Sequence, residues 1–344
     1  MDDLALFFHA DSYEHDTGSH PERAARLRAI EQAGRDDGLF DLASLRAFES
    51  ATVDEIALVH DRRYIESIAE VSRRGGGQLD IDTALSAGSY HAATRAAGGA
   101  IAAADAVLTG TARQAFALGR PPGHHARPGA AMGFCLFNNV AIAAQHARTS
   151  RGVDRVAIVD IDVHHGNGTQ ESFWEDPSVL FISTHQYPFY PGSGAIGEIG
   201  GDAGARATIN IPLPAGHGDA TYLAAIDRVA IPALERFRPD LLLVSAGFDA
   251  HWADPLASMH VTTSGHVAMI ERLSSAANAL CGGRLALVLE GGYNLEALAF
   301  GVIAVSRSLL GVPWSDPLGP PPRSFPIRSV DPILDAVRAA HGLA

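Results

Sequence analysis

The run RVAIVDIDVHHGNG, Arg155 to Gly168, decides the fold. From Arg155 to Val163 it is dominated by apolar residues, without the clean alternation of a strand that has one wet face. It therefore reads as a strand buried on both sides, as in a parallel sheet covered by helices. Runs of the same character are LALFF from Leu4, AFAL from Ala115, VLFIST from Val179, ATINIPL from Ala207, LLLVSAG from Leu241 and LALVLEGG from Leu285. Amphipathic stretches separate them: Glu22 to Ala33, Ser86 to Leu108, Asn138 to Thr149, Asp219 to Phe237, Ser264 to Leu280 and Leu295 to Leu310. This rhythm predicts an α/β fold of three layers, a mostly parallel sheet between helices. No Pro/Ser-rich linker, charge run or fixed-period repeat divides the chain, so one domain over 1–344 is expected. The Pro-rich stretch from Pro317 to Pro326 reads as an extended tail leading to a short last helix near Asp331 to Ala340.

Across 344 residues, 39 acids against 26 bases leave a formal charge of −13, which argues against a nucleic-acid or anionic-membrane surface. With 47% hydrophobic and 19% charged residues the composition suits a well-buried core rather than a disordered chain. The opening Met-Asp-Asp lacks a cationic leader pattern, and no apolar run approaches the roughly 18 residues of a membrane span, so a cytoplasmic protein is expected. Cys135 and Cys281 are the only cysteines, which excludes a disulfide scaffold and suits a reducing compartment.

In a parallel sheet, ligands bind beyond the carboxyl ends of the strands, and that is where the polar clusters fall. Asp162 and His164 flank one residue after the central run, a spacing that suits two ligands of one divalent ion, although hydrogen-bonded loop residues also fit. Asp249, in SAGFDAHWADP, is the third candidate, with a helix N-cap as its alternative. Together they form a His/Asp/Asp set that leaves a position open for water, as a catalytic metal requires. In RPPGHHA, the pair His124 and His125 follows a rigid turn. They suit general bases if acceptors orient their far nitrogens, and Asp160 and Asn167 are the candidates. In EGGYN, two glycines turn the chain and bring Tyr293 to the cleft, where a phenol can donate to an oxyanion.

Taken in this order, RPPGHHA, GFCLFNN, DIDVHHGNGTQ, SAGFDAHWADP and EGGYN resemble the zinc-dependent histone deacetylase and acetylpolyamine amidohydrolase superfamily, and HDTGSHPERAARLRAI extends the likeness, which runs from about Phe7 to about Gly311. Asn167 and the DPLA segment, Asp254 to Ala257, bring it nearest to the class II-like bacterial histone deacetylase-like amidohydrolases. The resemblance implies an arginase-like fold with about eight strands and one zinc per chain on Asp162, His164 and Asp249. It also implies His124 with Asp160, His125 with Asn167, and Tyr293 as the oxyanion donor. Phe134 and Tyr190 would face one another across an acyl-lysine tunnel, with the Gly133 carbonyl accepting from the substrate amide. Ser89 and Asp82 would lie on the rim, and Leu256 would hold the position where polyamine-selective members carry a gatekeeper glutamate, for which Asp82 or Asp254 could substitute. Arg26 would lie at the floor of a product cavity. A structural potassium ion would use Asp160, Ser183 and Thr184. The implied reaction is hydrolysis of an acetyl or other short acyl group from N-ε-acyl-lysine in peptides or proteins. Small acylated amines such as acetylpolyamines are the alternative substrates, and an inactive acyl-lysine-binding module is the remaining reading.

Overall fold

The computed structural model describes residues 2–322 and 328–343. Its strands are β1 (Asp2–Phe7), β2 (Ser44–Leu45), β3 (Gly76–Gln78), β4 (Ala84–Ser86), β5 (Ala112–Ala117), β6 (Val156–Asp160), β7 (Val179–Gln186), β8 (Thr208–Leu213), β9 (Leu241–Ala246) and β10 (Leu285–Leu289). Eight of them form one sheet in the order β2-β1-β5-β10-β9-β6-β7-β8. Every pairing in it is parallel. β3 and β4 form a separate antiparallel hairpin. All seven strongly apolar runs are strands. β2 is legible only through its pairing with Ala5 and Leu6, since two residues carry no periodicity.

Strands β6 to β10 are buried at every residue, as their continuous apolar runs require. Alternate side chains enter two separate cores. Ala157, Val159, Ile182, Leu242, Val244 and Leu287 pack with residues of helices Ala25–Asp37, Asp219–Ala225, Thr263–Cys281 and Leu295–Leu309. Val156, Ile158, Phe181, Leu241, Leu243 and Val288 pack with helices Ser89–Leu108 and Asn139–Arg151. The result is a three-layer arrangement of helix, sheet and helix.

The helix expected from Glu22 begins at Ala25, which leaves Glu22 outside it as a buried carboxylate. The stretch from Asp219 to Phe237 contains a wider π-helical turn at Ile226–Ala230. The expected Pro-rich tail lies partly outside the described residues. Just before it Asp316 accepts from Ser264 N and Oγ, and in its described part the Gly319 carbonyl accepts from the Trp252 indole at 2.9 Å. The final helix is Asp331–His341.

The last strands in the chain, β9 and β10, fill the centre between β5 and β6. Five adjacent strands, β5, β10, β9, β6 and β7, therefore bring their carboxyl ends to one edge, and the polar motifs follow them there.

Candidate active site

Beyond β6 and β9, three buried side chains converge. His164 Nδ1 lies 3.2 Å from Asp162 Oδ1 and 3.2 Å from Asp249 Oδ2. Backbone donors hold both acids: Gly291 N donates to Asp162 Oδ2 at 2.8 Å, His164 N to Asp162 Oδ1 at 2.9 Å and Val163 N to Asp249 Oδ1 at 2.9 Å. The chain passes so close that a Cβ on Gly291 would lie 2.1 Å from Asp249 Oδ2, which only glycine avoids. One potential ligand atom from each residue lies within 4.8 Å of the others, so the triad can hold a metal ion. Its electrostatics fit a cation as well. Burial, and then the charge of Asp162, raise Asp249 to about 7, while against the effect of burial the two acids raise His164 to about 10. Two desolvated carboxylates hold a proton on the imidazole between them, and a divalent ion would take that proton's place.

His124 and His125 leave the loop after β5 with ring centroids 4.0 Å apart. His124 Nδ1 donates to Asp160 Oδ2 at 2.9 Å and His125 Nδ1 to Asn167 Oδ1 at 2.7 Å, so both expected partners are in place. Burial works against charge on His124, but Asp162 and Asp160 hold its pKa well above the ordinary value. Burial and then His124 and His164 hold His125 well below it, which leaves its second nitrogen a free base. Tyr293 follows β10. Its backbone N–H donates to Asp254 Oδ2 at 2.6 Å, its ring meets Phe134 edge-on at 5.7 Å, and the Arg26 guanidinium lies 5.0 Å from its centroid. Burial raises its phenol well above the ordinary value and keeps it a donor.

This constellation has a family. Residues 20–309 match the histone deacetylase domain. The chain belongs to the histone deacetylase family. Hydrolytic deacetylation is that family's chemistry. The chain is 44% identical over 293 residues to the histone deacetylase-like amidohydrolase of Pseudomonas aeruginosa, spanning 85% of this chain and 76% of that one. It is 39% identical over 334 residues to polyamine deacetylase HDAC10 of Homo sapiens, spanning 93% of this chain and 48% of that one. The crystal structure of the HDA15 HD domain matches with a TM-score of 0.88 at 36% identity, covering 99% of this chain and 94% of that one.

The aromatic residues named for the tunnel wall lie beside these groups. Phe134 packs on Tyr293 and on His20, at 4.5 Å, while Tyr190 meets His125 edge-on at 5.2 Å and Phe189 stacks on His164 at 5.4 Å. Gly133 is forced by space, because a Cβ there would lie 2.4 Å from His125 Cδ2. Asp82 is half-buried on the loop before β4, close enough to contribute, after burial, to raising the Tyr190 phenol. Leu256 is half-buried, and its N–H donates to Asp254 Oδ1 at 2.9 Å.

Two rim expectations are corrected. Ser89 is fully buried, with its Oγ 2.7 Å from His15 Nδ1 and accepting from Ser86 N at 2.7 Å, so it braces the start of its helix and has no face toward a substrate. Asp254, a possible substitute gatekeeper, is buried too and spends its carboxylate on the N–H groups of Leu256, Tyr293 and Asn294. Arg26 is fully buried, and it donates to the Gly292 carbonyl at 2.6 Å, the Glu290 carbonyl at 2.5 Å and Glu22 at 3.1 Å. It thus ties the Tyr293 loop to the first long helix. Asp160 and Ser183 are register partners, and Thr184 Oγ1 donates to the Asp160 carbonyl at 3.3 Å, so the three residues expected at a potassium ion are neighbours.

Sequence reasoning overlooked Glu290, which accepts Gly123 N at 2.6 Å and His124 N at 3.1 Å and so holds the histidine turn from β10. The available signal was an acid ending a buried strand, the same signal that marks Asp249. Glu22, Arg120, Phe189 and His20 were also overlooked, though all but Phe189 lie inside the motifs quoted above.

Proposed function

We propose that this deacetylase is a zinc-dependent amidohydrolase that removes acetyl or other short acyl groups from N-ε-acyl-lysine in peptides or proteins. The observation that carries the reading is the meeting of His125, hydrogen-bonded to Asn167, with Tyr293 and a buried carboxylate–imidazole triad at one edge of the sheet. A zinc ion on Asp162, His164 and Asp249 would supply Lewis-acid polarisation of the amide carbonyl and a more acidic water.

The chain's own residues do the rest. His125, oriented by Asn167, accepts a proton from the attacking water through its free nitrogen. As the carbonyl carbon becomes tetrahedral, the Tyr293 hydroxyl donates to the developing oxyanion. His125 then returns its proton to the leaving nitrogen, so that one water is consumed and a carboxylic acid and an amine result, which leave as carboxylate and ammonium once the acid's proton passes to the amine. His124, held by Asp160, adds positive charge beside the same atoms. Phe134, Phe189 and Tyr190 flank the lysine methylenes, Gly133 offers its carbonyl to the amide N–H, and Arg26 steadies Tyr293 from below. A potassium ion at Asp160, Ser183 and Thr184 would be structural. Free, buried Cys135 and Cys281 suit a reducing compartment, for which we take the cytoplasm.

A second reading, hydrolysis of acetylpolyamines, is favoured by the likeness to polyamine deacetylase HDAC10 and by Asp82 near the mouth. Leu256 and the buried Asp254 favour acyl-lysine, because a second ammonium needs an available carboxylate. The deciding experiment compares kcat/KM for acetyl-lysine peptides, acetylspermidine and acetylputrescine. The peptides should be preferred, and Leu256→Glu should shift the ratio toward the polyamines. The reverse preference in the unmodified enzyme would overturn the acyl-lysine assignment.

A further inference from the structure

Among the described residues Ile81 is 97% exposed, whereas the other exposed large hydrophobic side chains, Leu42, Leu45, Val53 and Leu58, lie between 37% and 51%. A lone exposed aliphatic side chain is ordinary in itself. What sets Ile81 apart is how firmly and where it is held. Asp80 Oδ1 accepts from Asp82 N at 3.0 Å and from Thr83 N at 2.7 Å, and Leu79 N donates to the Thr83 carbonyl at 2.9 Å, closing a tight turn with Ile81 at its tip. That turn is fastened to the site: buried Thr83 accepts from Phe134 N at 3.1 Å through its hydroxyl, which donates in turn to Asp82 Oδ1 at 3.0 Å. Turn tips favour Gly, Asn, Asp and Ser, and a β-branched isoleucine does nothing for the turn itself. An apolar side chain is thus held in water at the tip of a hydrogen-bonded turn, one residue from Asp82 and two from Thr83, whose hydroxyl accepts from the backbone of the wall residue Phe134.

We propose that Ile81 is a specificity-determining residue that contacts substrate residues flanking the acyl-lysine and favours apolar ones; this rests on the acyl-lysine reading above. A peptide emerging from the mouth crosses this turn, and covering part of an isoleucine removes apolar area from water on both partners. A minimal substrate that ends at the lysine backbone has nothing to lay against it.

The test measures kcat and KM for three acetyl-lysine substrates, flanked by leucines, flanked by glycines, and lacking flanking residues, with the unmodified enzyme, Ile81→Ser and Ile81→Val. The unmodified enzyme should prefer the leucine-flanked peptide over the glycine-flanked one by about three- to tenfold, mostly in KM. Ile81→Ser should bring that ratio to about one, Ile81→Val should keep most of it, and the minimal substrate should be turned over equally by all three. Equal use of both peptides by the unmodified enzyme, or an undiminished preference in Ile81→Ser, would overturn the inference and leave the deacylase reading standing. Failure of all three substrates would remove both.

Discussion

Arg120 meets Glu22 through two parallel hydrogen bonds, Nε and Nη2 each donating to one carboxylate oxygen at 2.7 Å, with both side chains fully buried. Arg120 also donates to the carbonyls of Ser12 and His15, and Arg26 adds a bond to Glu22 at 3.1 Å. One carboxylate thus compensates two buried guanidinium groups, one leading into the histidine turn and one lying beneath Tyr293.

Removing that charge should be costly. Glu22→Gln leaves Arg120 and Arg26 buried without their anion and should destabilise by about 3–5 kcal/mol at neutral pH. Burial alone would raise the Glu22 carboxyl, but Arg120, then His15 and Arg26, bring it from 4.5 down to about 2. The folded state therefore binds this proton more weakly than the unfolded state. Its contribution is fully present above pH 4.5 and is lost as the pH falls from there toward 2. Urea unfolding of both proteins between pH 3 and 7 should show the gap narrowing only below about 4.5. A gap under about 1 kcal/mol at pH 7 would contradict the account.

Asp249→Ala should lose bound metal together with turnover. Metal analysis of the purified enzyme should find close to one zinc, or a substitute such as iron or cobalt, per chain, and well under that in the variant. Full metal content in the variant would remove Asp249 from the ligand set.

Tyr293→Phe should lower kcat by about 10² to 10³ with metal content and KM little changed, because the ring remains held by Phe134 and Arg26 and the backbone by Asp254. His125→Ala should lose at least about 10². Near-normal turnover in either variant would cancel the role given to that residue.

Glu290 separates positioning from charge. Burial raises its carboxyl to about 7, so a neutral amide is a close substitute, and Glu290→Gln keeps an acceptor for Gly123 and His124. It should retain most activity. Glu290→Ala strands two buried N–H groups, at about 1–3 kcal/mol each, and should lower kcat far more than it changes KM. Equal effects of the two substitutions would show that the charge itself is what matters.

Periodicity and local chemistry are one-dimensional properties, and the sequence by itself carried them. Continuous apolar runs announced the long strands, and D-x-H, HH and GGY after strand ends announced the centre, because side chains close in sequence at a strand end are close in space. The tertiary structure alone decided what depends on partners far along the chain. Glu22 and Arg120 are 98 residues apart, and Arg26 and the Gly292 carbonyl are 266 apart. Ser89 turned inward because His15 and Ser86 reach its hydroxyl first, and Asp254 is occupied because three backbone N–H groups of the Tyr293 loop and its own turn surround it. An acid or hydroxyl reads the same in a sequence whether it faces solvent or a buried donor; only the packed fold assigns its lone pairs.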